Sequence, residues 1–174
     1  MGVRGRDISN MRIYTELIVL YEDAPMPAEE SFCPSIWQAA DFDSDGDYYA
    51  TGVEGRWTQL ELTRREEGAP ESTLGIYSYR ENNAYEPGLQ EIVDLRRYID
   101  YHRQGRYQHE GPIAHIESLA VTSLCFDTPS VKDYREFLET VYRFLEAMSG
   151  HVVNYAPILD AAAFKDHFLC WKGI

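Results

Sequence analysis

The first half of the chain alternates between short apolar stretches and long polar ones. Residues 12–21 predict a strand inside a sheet, because residues 17–20 are apolar on both sides of an extended chain. Residues 22–34 contain three prolines and four acidic residues, which predicts a loop. Residues 41–47 are rich in Asp and turn-forming residues, so we expect an acidic turn there as well.

Two later stretches show the alternation of half-buried strands. Residues 56–63 and 73–79 each place apolar side chains on one side of an extended chain. In the second stretch, Leu74 and Ile76 fall on one side, and Tyr77 and Tyr79 fall on the other. The polar connection between the two stretches predicts a hairpin with a long loop. A further strand is expected over residues 116–126.

Helical periodicity dominates the second half of the chain. Pro87 opens a predicted helix that Gly105 ends. Thr128 as N-cap and Pro129 in the first turn open another, which Gly150 stops. The apolar side of this second helix repeats every three or four residues, at Val131, Tyr134, Leu138, Val141, Leu145 and Met148. A short strand at 152–153 and a short helix over 160–168 complete the chain.

This order of elements predicts an α+β fold, a mainly antiparallel sheet with helices packed on one face. A length of 174 residues suits a single domain, and no linker divides residues 1–174. Residues 1–10 are expected to form a loose polar leader.

Charge is the most unusual property of the composition. The formal net charge is −13, and residues 22–55 carry nine acidic residues without a single Lys or Arg. A basic footprint for nucleic acid is therefore missing, and an anionic membrane would repel the chain. No apolar stretch is long enough for a membrane-spanning helix. Three widely spaced cysteines, Cys33, Cys125 and Cys170, are typical of free thiols, and we expect a cytoplasmic protein.

One motif points to a metal ion. Asp41, Asp43 and Asp45 followed by Gly46 match the first half of a calcium-binding loop. The position that should carry a bidentate Glu is Gly52 instead, so the motif is incomplete. These three carboxylates are weak metal candidates, and a solvated acidic loop is the competing interpretation.

Signs of catalysis and of a cofactor are few. The chain has no GxSxG, no Walker loop and no GxGxxG, and its histidines lack the spacing of zinc ligands. His167 and Cys170 are three residues apart and could meet on a helix, although a catalytic site needs several convergent groups. We expect no enzyme activity and no cofactor.

The acidic stretch is interleaved with aromatic residues, a mixture that protein interfaces favour. A binding surface for a basic partner is therefore expected here, since acidic rims speed association with such partners. The competing interpretation places the aromatic residues in the core. The candidate partner-binding residues are Glu29, Glu30, Trp37, Asp41, Asp43, Asp45, Asp47, Tyr48, Tyr49 and Glu54.

The order of elements from Ile13 to Phe168 resembles bacterial immunity proteins of polymorphic toxin systems, and the immunity protein 52 family in particular. The helix over 129–148 and the ending at 152–153 and 159–164 carry the resemblance. It implies a cytoplasmic protein without catalysis that binds a cognate toxin, a nuclease effector of the kind delivered by type VI secretion.

Three hypotheses follow for the function. In the first, the protein neutralises a basic toxin by covering its active site or by preventing its assembly. In the second, it is an enzyme or small-molecule binder with a pocket between sheet and helices. In the third, it is a calcium-binding module at residues 41–47.

Overall fold

The computed structural model describes residues 11–27, 29–32, 42–49, 57–64, 71–81, 115–154 and 157–170, with the backbone alone for 29–30, 42–49 and 57–60. Its elements are, in chain order, β1 (Ile13–Glu22), α1 (Glu29–Phe32), β2 (Phe42–Tyr49), β3 (Trp57–Arg64), β4 (Ser72–Arg80), β5 (Leu119–Thr128), α2 (Val131–Met148), β6 (His151–Val152), α3 (Ala161–Phe164) and a π-helical segment (Lys165–Leu169).

The strands form one sheet in the order β2-β3-β4-β5-β1-β6, and every neighbouring pair is antiparallel. The helix α2 packs against one face of this sheet. The prediction of an α+β fold is therefore confirmed. Among the described residues, no helix has the length and apolarity that crossing a membrane requires.

Side-chain alternation divides the sheet into two unlike faces. In β4, Ser72, Leu74 and Ile76 are buried on the side of α2, whereas Gly75 and Tyr77 are half-buried on the other side. The main core lies between the sheet and α2. Aromatic contacts join α2 to the sheet there: Phe137 is stacked on Phe126 of β5, and Phe144 is edge-on to Tyr21 of β1. A smaller apolar cluster of Leu20, Leu119, Val121 and Val153 covers one end of the opposite face.

The helix α2 begins two residues later than the sequence predicts. Ser130, not Thr128, is the N-cap, and its hydroxyl accepts the backbone N–H of Asp133 at 3.2 Å. Thr128 is instead the last residue of β5 and pairs with Ile13 of β1. The strand therefore keeps Thr128 extended, and the next residue suited to capping takes the role.

The apolar side of α2 also differs from the prediction at its start. Val131 is 62% exposed, whereas Phe137 and Phe144 are fully buried. Leu138, Val141, Leu145 and Met148 are buried as predicted. The first turn of α2 is held instead by polar contacts to the sheet. Arg64 of β3 forms ion pairs with Asp133 and Glu136 at 3.1 and 2.7 Å, and the Ser72 hydroxyl donates to Asp133 at 2.7 Å.

Gly150 directly follows the turn that ends α2. Ser149 adopts a left-handed conformation with φ of 50°, and the Gly150 N–H donates to the Leu145 carbonyl at 3.0 Å. A Cβ on Gly150 would lie 2.6 Å from Cγ1 of Val19, which is itself fully buried in β1. The absence of a side chain at this position thus allows the end of α2 to approach the sheet.

We expect Gly150→Ala to destabilise the protein by about 1–3 kcal/mol, because the short, stiff Val19 side chain cannot move aside without disturbing the core. Chemical denaturation monitored by circular dichroism measures the change. Ser149→Gly is the control, since a positive φ suits glycine, and it should stay within about 1 kcal/mol of the parent. Equal stability of the Gly150→Ala variant and the parent would contradict this packing.

Several other elements can be compared with their predictions. The strands β1, β3 and β4 lie within one residue of the predicted bounds at each end, and β5 begins at Leu119 rather than at residue 116. The predicted short strand and final short helix correspond to β6 and to α3 with the π-helical segment that follows it. The predicted helix over 87–105 and the leader over 1–10 lie outside the described residues.

The acidic stretch shows the largest difference. Residues 42–49 form the strand β2, which pairs with β3 and is one of the two edge strands of the described sheet. The prediction of a turn over 41–47 is therefore wrong for its described part. The pairing shifts register between Asp45 and Tyr48 and again between Tyr48 and Tyr49, so the strand continues past Gly46 with bulges rather than a turn.

Candidate functional site

The sheet face opposite α2, called the outer face below, carries many polar and acidic positions of the described strands. One line of cross-strand partners, the Gly75 row, runs across five strands and consists of Glu16, Cys125, Gly75, Glu61 and Asp45. Residues directly opposite each other in antiparallel strands lie on the same face. The row therefore brings three carboxylate-bearing positions to one face, with glycine and cysteine between them.

The neighbouring row adds two more acidic positions. It consists of Tyr14, Asp127, Thr73, Thr63 and Asp43. Asp127 forms an exposed ion pair with Arg12, whose Nε lies 2.8 Å from the carboxylate. Neither row contains a Lys or Arg among these ten positions, and Arg12, which precedes β1, approaches them only through its pair with Asp127.

A depression of about 300 Å³ opens on the outer face above Gly75. Tyr14, Glu61, Tyr77 and Cys125 contribute to its lining. The Tyr77 ring leans over Gly75, because a Cβ on that glycine would lie 2.8 Å from Cε2 of the ring. Glycine at position 75 thus makes room for the tyrosine ring.

Tyr77 and Glu61 are linked across β3 and β4. The Tyr77 hydroxyl donates to Oε1 of Glu61 at 2.9 Å. Partial burial, followed by this hydrogen bond and the charge of Glu61, raises the pKa of Tyr77 to about 12. Each of these causes disfavours the phenolate, so the phenol stays neutral and keeps its donor directed at the carboxylate.

We expect Tyr77 to be protonated still at pH 11 in the folded protein. The phenol ionises in the unfolded chain at about pH 10, and its folded pKa is about 12. Its contribution to stability is therefore complete below pH 10 and is lost as the pH rises towards 12.

Tyrosinate absorbance tests this expectation by comparison of the parent with Tyr77→Phe. At pH 11 the two folded proteins should absorb almost equally, because Tyr77 adds little tyrosinate. In denaturant, the parent should show one additional tyrosinate with a midpoint near pH 10. A full extra tyrosinate in the folded parent at pH 11 would contradict the assigned environment.

On the other side of Gly75, β1 and β5 provide a second tyrosine and a thiol. A hydrogen bond and the proximity of Cys125 raise the pKa of Tyr14. The Ser123 hydroxyl donates to Glu16 at 2.8 Å and lies 3.4 Å from the Cys125 sulfur. Tyr14 is 67% exposed, so its ring stands at the solvent side of the depression.

The structure places the sequence-predicted partner residues in different parts of the chain. Asp43 and Asp45 take register positions opposite Thr63 and Glu61, on the outer face. Tyr48 and Tyr49 pair with Gln59 and Trp57, and Asp47 lies at the bulge between the two paired parts of β2. Glu29 and Glu30 begin the short helix α1. Trp37, Asp41 and Glu54 lie outside the described residues.

The extended backbone of β2 does not suit the calcium-loop hypothesis. A calcium loop turns around its ion, whereas Asp43 and Asp45 lie in a strand that is paired with β3. Asp41, the first of the proposed ligands, is outside the described residues. Within the described part of the chain, no group of three or more His, Cys, Asp and Glu side chains is arranged to hold a metal ion.

His167 and Cys170 lie at the C-terminal end of the described chain. His167 is in the π-helical segment, with its ring edge-on to Phe168 at 4.6 Å between centroids. Cys170 is exposed, and its backbone N–H donates to the Lys165 carbonyl. In residues 157–170 we find no hydrogen bond between the two side chains.

The sequence-based prediction missed Glu61, Tyr77, Gly75 and Cys125 as members of one site. The alternation in residues 73–79 did assign Tyr77 to the side opposite Leu74, which was a usable signal. The pairing of β4 with both β3 and β5 was not visible in the pattern. It is this pairing that brings Glu61 and Cys125 to either side of Gly75.

Comparison with protein-family models, with curated proteins and with solved structures gave no match to this chain. The fold and the site therefore define a class only: an antiparallel α+β protein whose outer sheet face is acidic and bears tyrosines. The resemblance to immunity proteins stays a prediction.

Proposed function

We propose that this chain is a binding protein that neutralises a basic toxin, of the nuclease type, by docking its outer face onto the toxin. The observation that carries the proposal is the concentration of acidic positions on two adjacent rows of one sheet face, namely Glu16, Glu61, Asp45, Asp127 and Asp43. A nuclease must present positive charge to its substrate, and an acidic face complements that charge.

The tyrosines of the same face support a protein partner rather than a simple counter-ion. Tyr77 and Tyr79 lie on β4 and Tyr14 lies on β1, each on the side away from α2. Tyrosine is enriched among the residues that dominate binding energy at interfaces, because its rigid ring buries apolar area and its hydroxyl still finds a partner. Acidic residues around such rings would accelerate association, and the rings would slow dissociation.

The net charge of the whole chain acts in the same direction. At −13, the protein attracts cationic partners over a distance that shrinks as salt is added. Binding would cover the nucleic-acid surface of the toxin and needs no catalytic group in the inhibitor. The resemblance to immunity proteins described above agrees with this mode of action.

The proposal is tested with the product of the gene next to this one as the candidate toxin. The parent protein is expected to protect cells that express this product and to bind it with an association rate that falls steeply between low and high salt. Asp43→Lys, Asp45→Lys and Glu61→Lys together should slow association at low salt at least tenfold and remove protection.

A matched control changes net charge equally on the other side of the molecule. Glu139→Lys, Glu146→Lys and Asp166→Lys alter exposed residues of α2 and the π-helical segment. This triple variant should retain protection and slow association far less. A neighbouring product that is harmless or unbound, or equal effects of the two triple variants, would overturn the proposal.

A further inference from the structure

The Gly75 depression has the dimensions of a subsite for one side chain. Its volume of about 300 Å³ is at the lower limit of ligand pockets, so a whole cofactor would not be enclosed. Its lining includes two tyrosines and the acidic residues Glu61 and Asp127, of which Asp127 already pairs with Arg12. Tyrosine rings attract cations through their faces, and carboxylates attract them by charge.

We propose that this depression receives a single arginine side chain of the partner protein. The inference deepens the proposed function and rests on it, because it names the group by which a basic partner would be anchored. Next to the depression, one guanidinium of the chain is already bound by a carboxylate of its lining. Arg12 approaches Asp127 with Nε at 2.8 Å and donates from Nη2 to the Glu71 carbonyl at 2.9 Å.

Arginine fits the lining better than lysine does. A guanidinium is planar, stacks on an aromatic ring and is less strongly hydrated than an ammonium group. The Tyr77 ring offers such a plane, and the carboxylate of Glu61 is held next to it by the hydrogen bond of 2.9 Å. Fork-shaped donors also match the geometry of a carboxylate, which a single ammonium does not.

The Tyr77 ring can lie over position 75 because that residue has no side chain. A methyl group at position 75 would lie 2.8 Å from Cε2 and 2.9 Å from the hydroxyl oxygen of Tyr77. Gly75→Ala therefore has to displace the Tyr77 ring and fill part of the depression, without any change in charge. This separates the shape of the subsite from the general electrostatic attraction of the outer face.

Nuclear magnetic resonance with short peptides tests the subsite on the full-length protein. The probes are acetyl-Gly-Arg-Gly-amide, its lysine counterpart and its citrulline counterpart, in which the guanidinium is replaced by a neutral group of the same shape. The arginine peptide is expected to shift the backbone amides of Gly75 and Cys125 in a saturable manner. The lysine and citrulline peptides should bind several-fold more weakly.

Four variants separate the contributions to arginine binding. Glu61→Gln and Gly75→Ala should each weaken the arginine peptide about fivefold to tenfold, by loss of charge and of shape respectively. Tyr77→Phe keeps the ring and should bind within about twofold of the parent. Glu139→Gln removes an exposed carboxylate from α2, on the opposite side of the sheet, and should have no effect.

The arginine subsite is rejected if the Gly75 and Cys125 amides do not shift, if citrulline or lysine binds as tightly as arginine, or if Glu139→Gln weakens binding as much as Glu61→Gln. These outcomes are independent of the toxin.

If the triple reversal at Asp43, Asp45 and Glu61 removes toxin binding while Gly75→Ala leaves it intact, the proposed function stands and the subsite falls. If the peptide binds as expected but the neighbouring product is not bound, the proposed function falls instead.

Discussion

Asp23→Ala is expected to cost about 3–5 kcal/mol in the free energy of unfolding, because it removes one partner of a buried ion pair. Arg80 Nε lies 3.1 Å from the Asp23 carboxylate, and the two side chains are only 2% and 6% exposed. The Arg80 guanidinium also contacts the Met26 sulfur at 2.9 Å. In the variant, the buried guanidinium of Arg80 loses this carboxylate. The cost of leaving that charge buried exceeds the loss of the attraction itself.

Two comparisons identify the cause of that loss in denaturant titrations. Arg12→Ala breaks the exposed pair with Asp127, whose side chains are 41% and 38% exposed, and should cost about 0–1 kcal/mol. Asp23→Leu combined with Arg80→Met removes both charges and should recover much of the stability of the parent. An Asp23→Ala variant within 1 kcal/mol of the parent would contradict the cost assigned to this buried pair.

The single variant Phe144→Ala is expected to lower the free energy of unfolding by about 3–5 kcal/mol, as for other buried phenylalanines. Phe144 is fully buried in α2, and its ring meets Tyr21 of β1 at 5.8 Å and Phe32 of α1 at 5.3 Å between centroids. No other described side chain joins these three elements through ring contacts in this way. Its removal leaves a cavity where helix, strand and the α1 segment meet.

The natural control for Phe144→Ala lies in the same helix. Val131→Ala alters a residue that is 62% exposed, so its cost should stay below about 0.5 kcal/mol. Urea denaturation of both variants measures the difference. Similar costs for the two substitutions would mean that α2 does not pack against β1 as described.

Periodicity predicted which side chains face α2 but not which strands are neighbours. In β3 and β4 the alternation is strong, so the buried positions Leu62, Leu74 and Ile76 were predictable. The Gly75 row also needs β1 next to β5, and Glu16 and Cys125 are far apart in the sequence. A hydrophobic pattern indicates which side of the sheet a residue faces. The order of the strands and the register between them depend on contacts that the pattern does not encode.

Local chemistry misled the prediction in two places. Asp43, Asp45 and Gly46 are poor strand formers, so their sequence indicated a turn, yet pairing with β3 makes them a strand. Thr128 and Ser130 are both suitable N-caps on either side of Pro129. Only the pairing of Thr128 with Ile13 decides that the strand ends, and the helix begins, after it.

The position of β1 in the sheet has a consequence for how the chain reaches its native state. Tyr21 and Thr122 share a hydrogen bond although 101 positions separate them, and the face of β1 that bears Leu17 and Val19 is covered by α2. During synthesis β1 therefore leaves the ribosome long before β5, with which it pairs, and α2, which covers it, have been made. Such non-local pairing favours slow folding, in milliseconds to seconds. We expect β3 and β4 to form a local hairpin early, and β1 to remain exposed to chaperones until synthesis has passed α2.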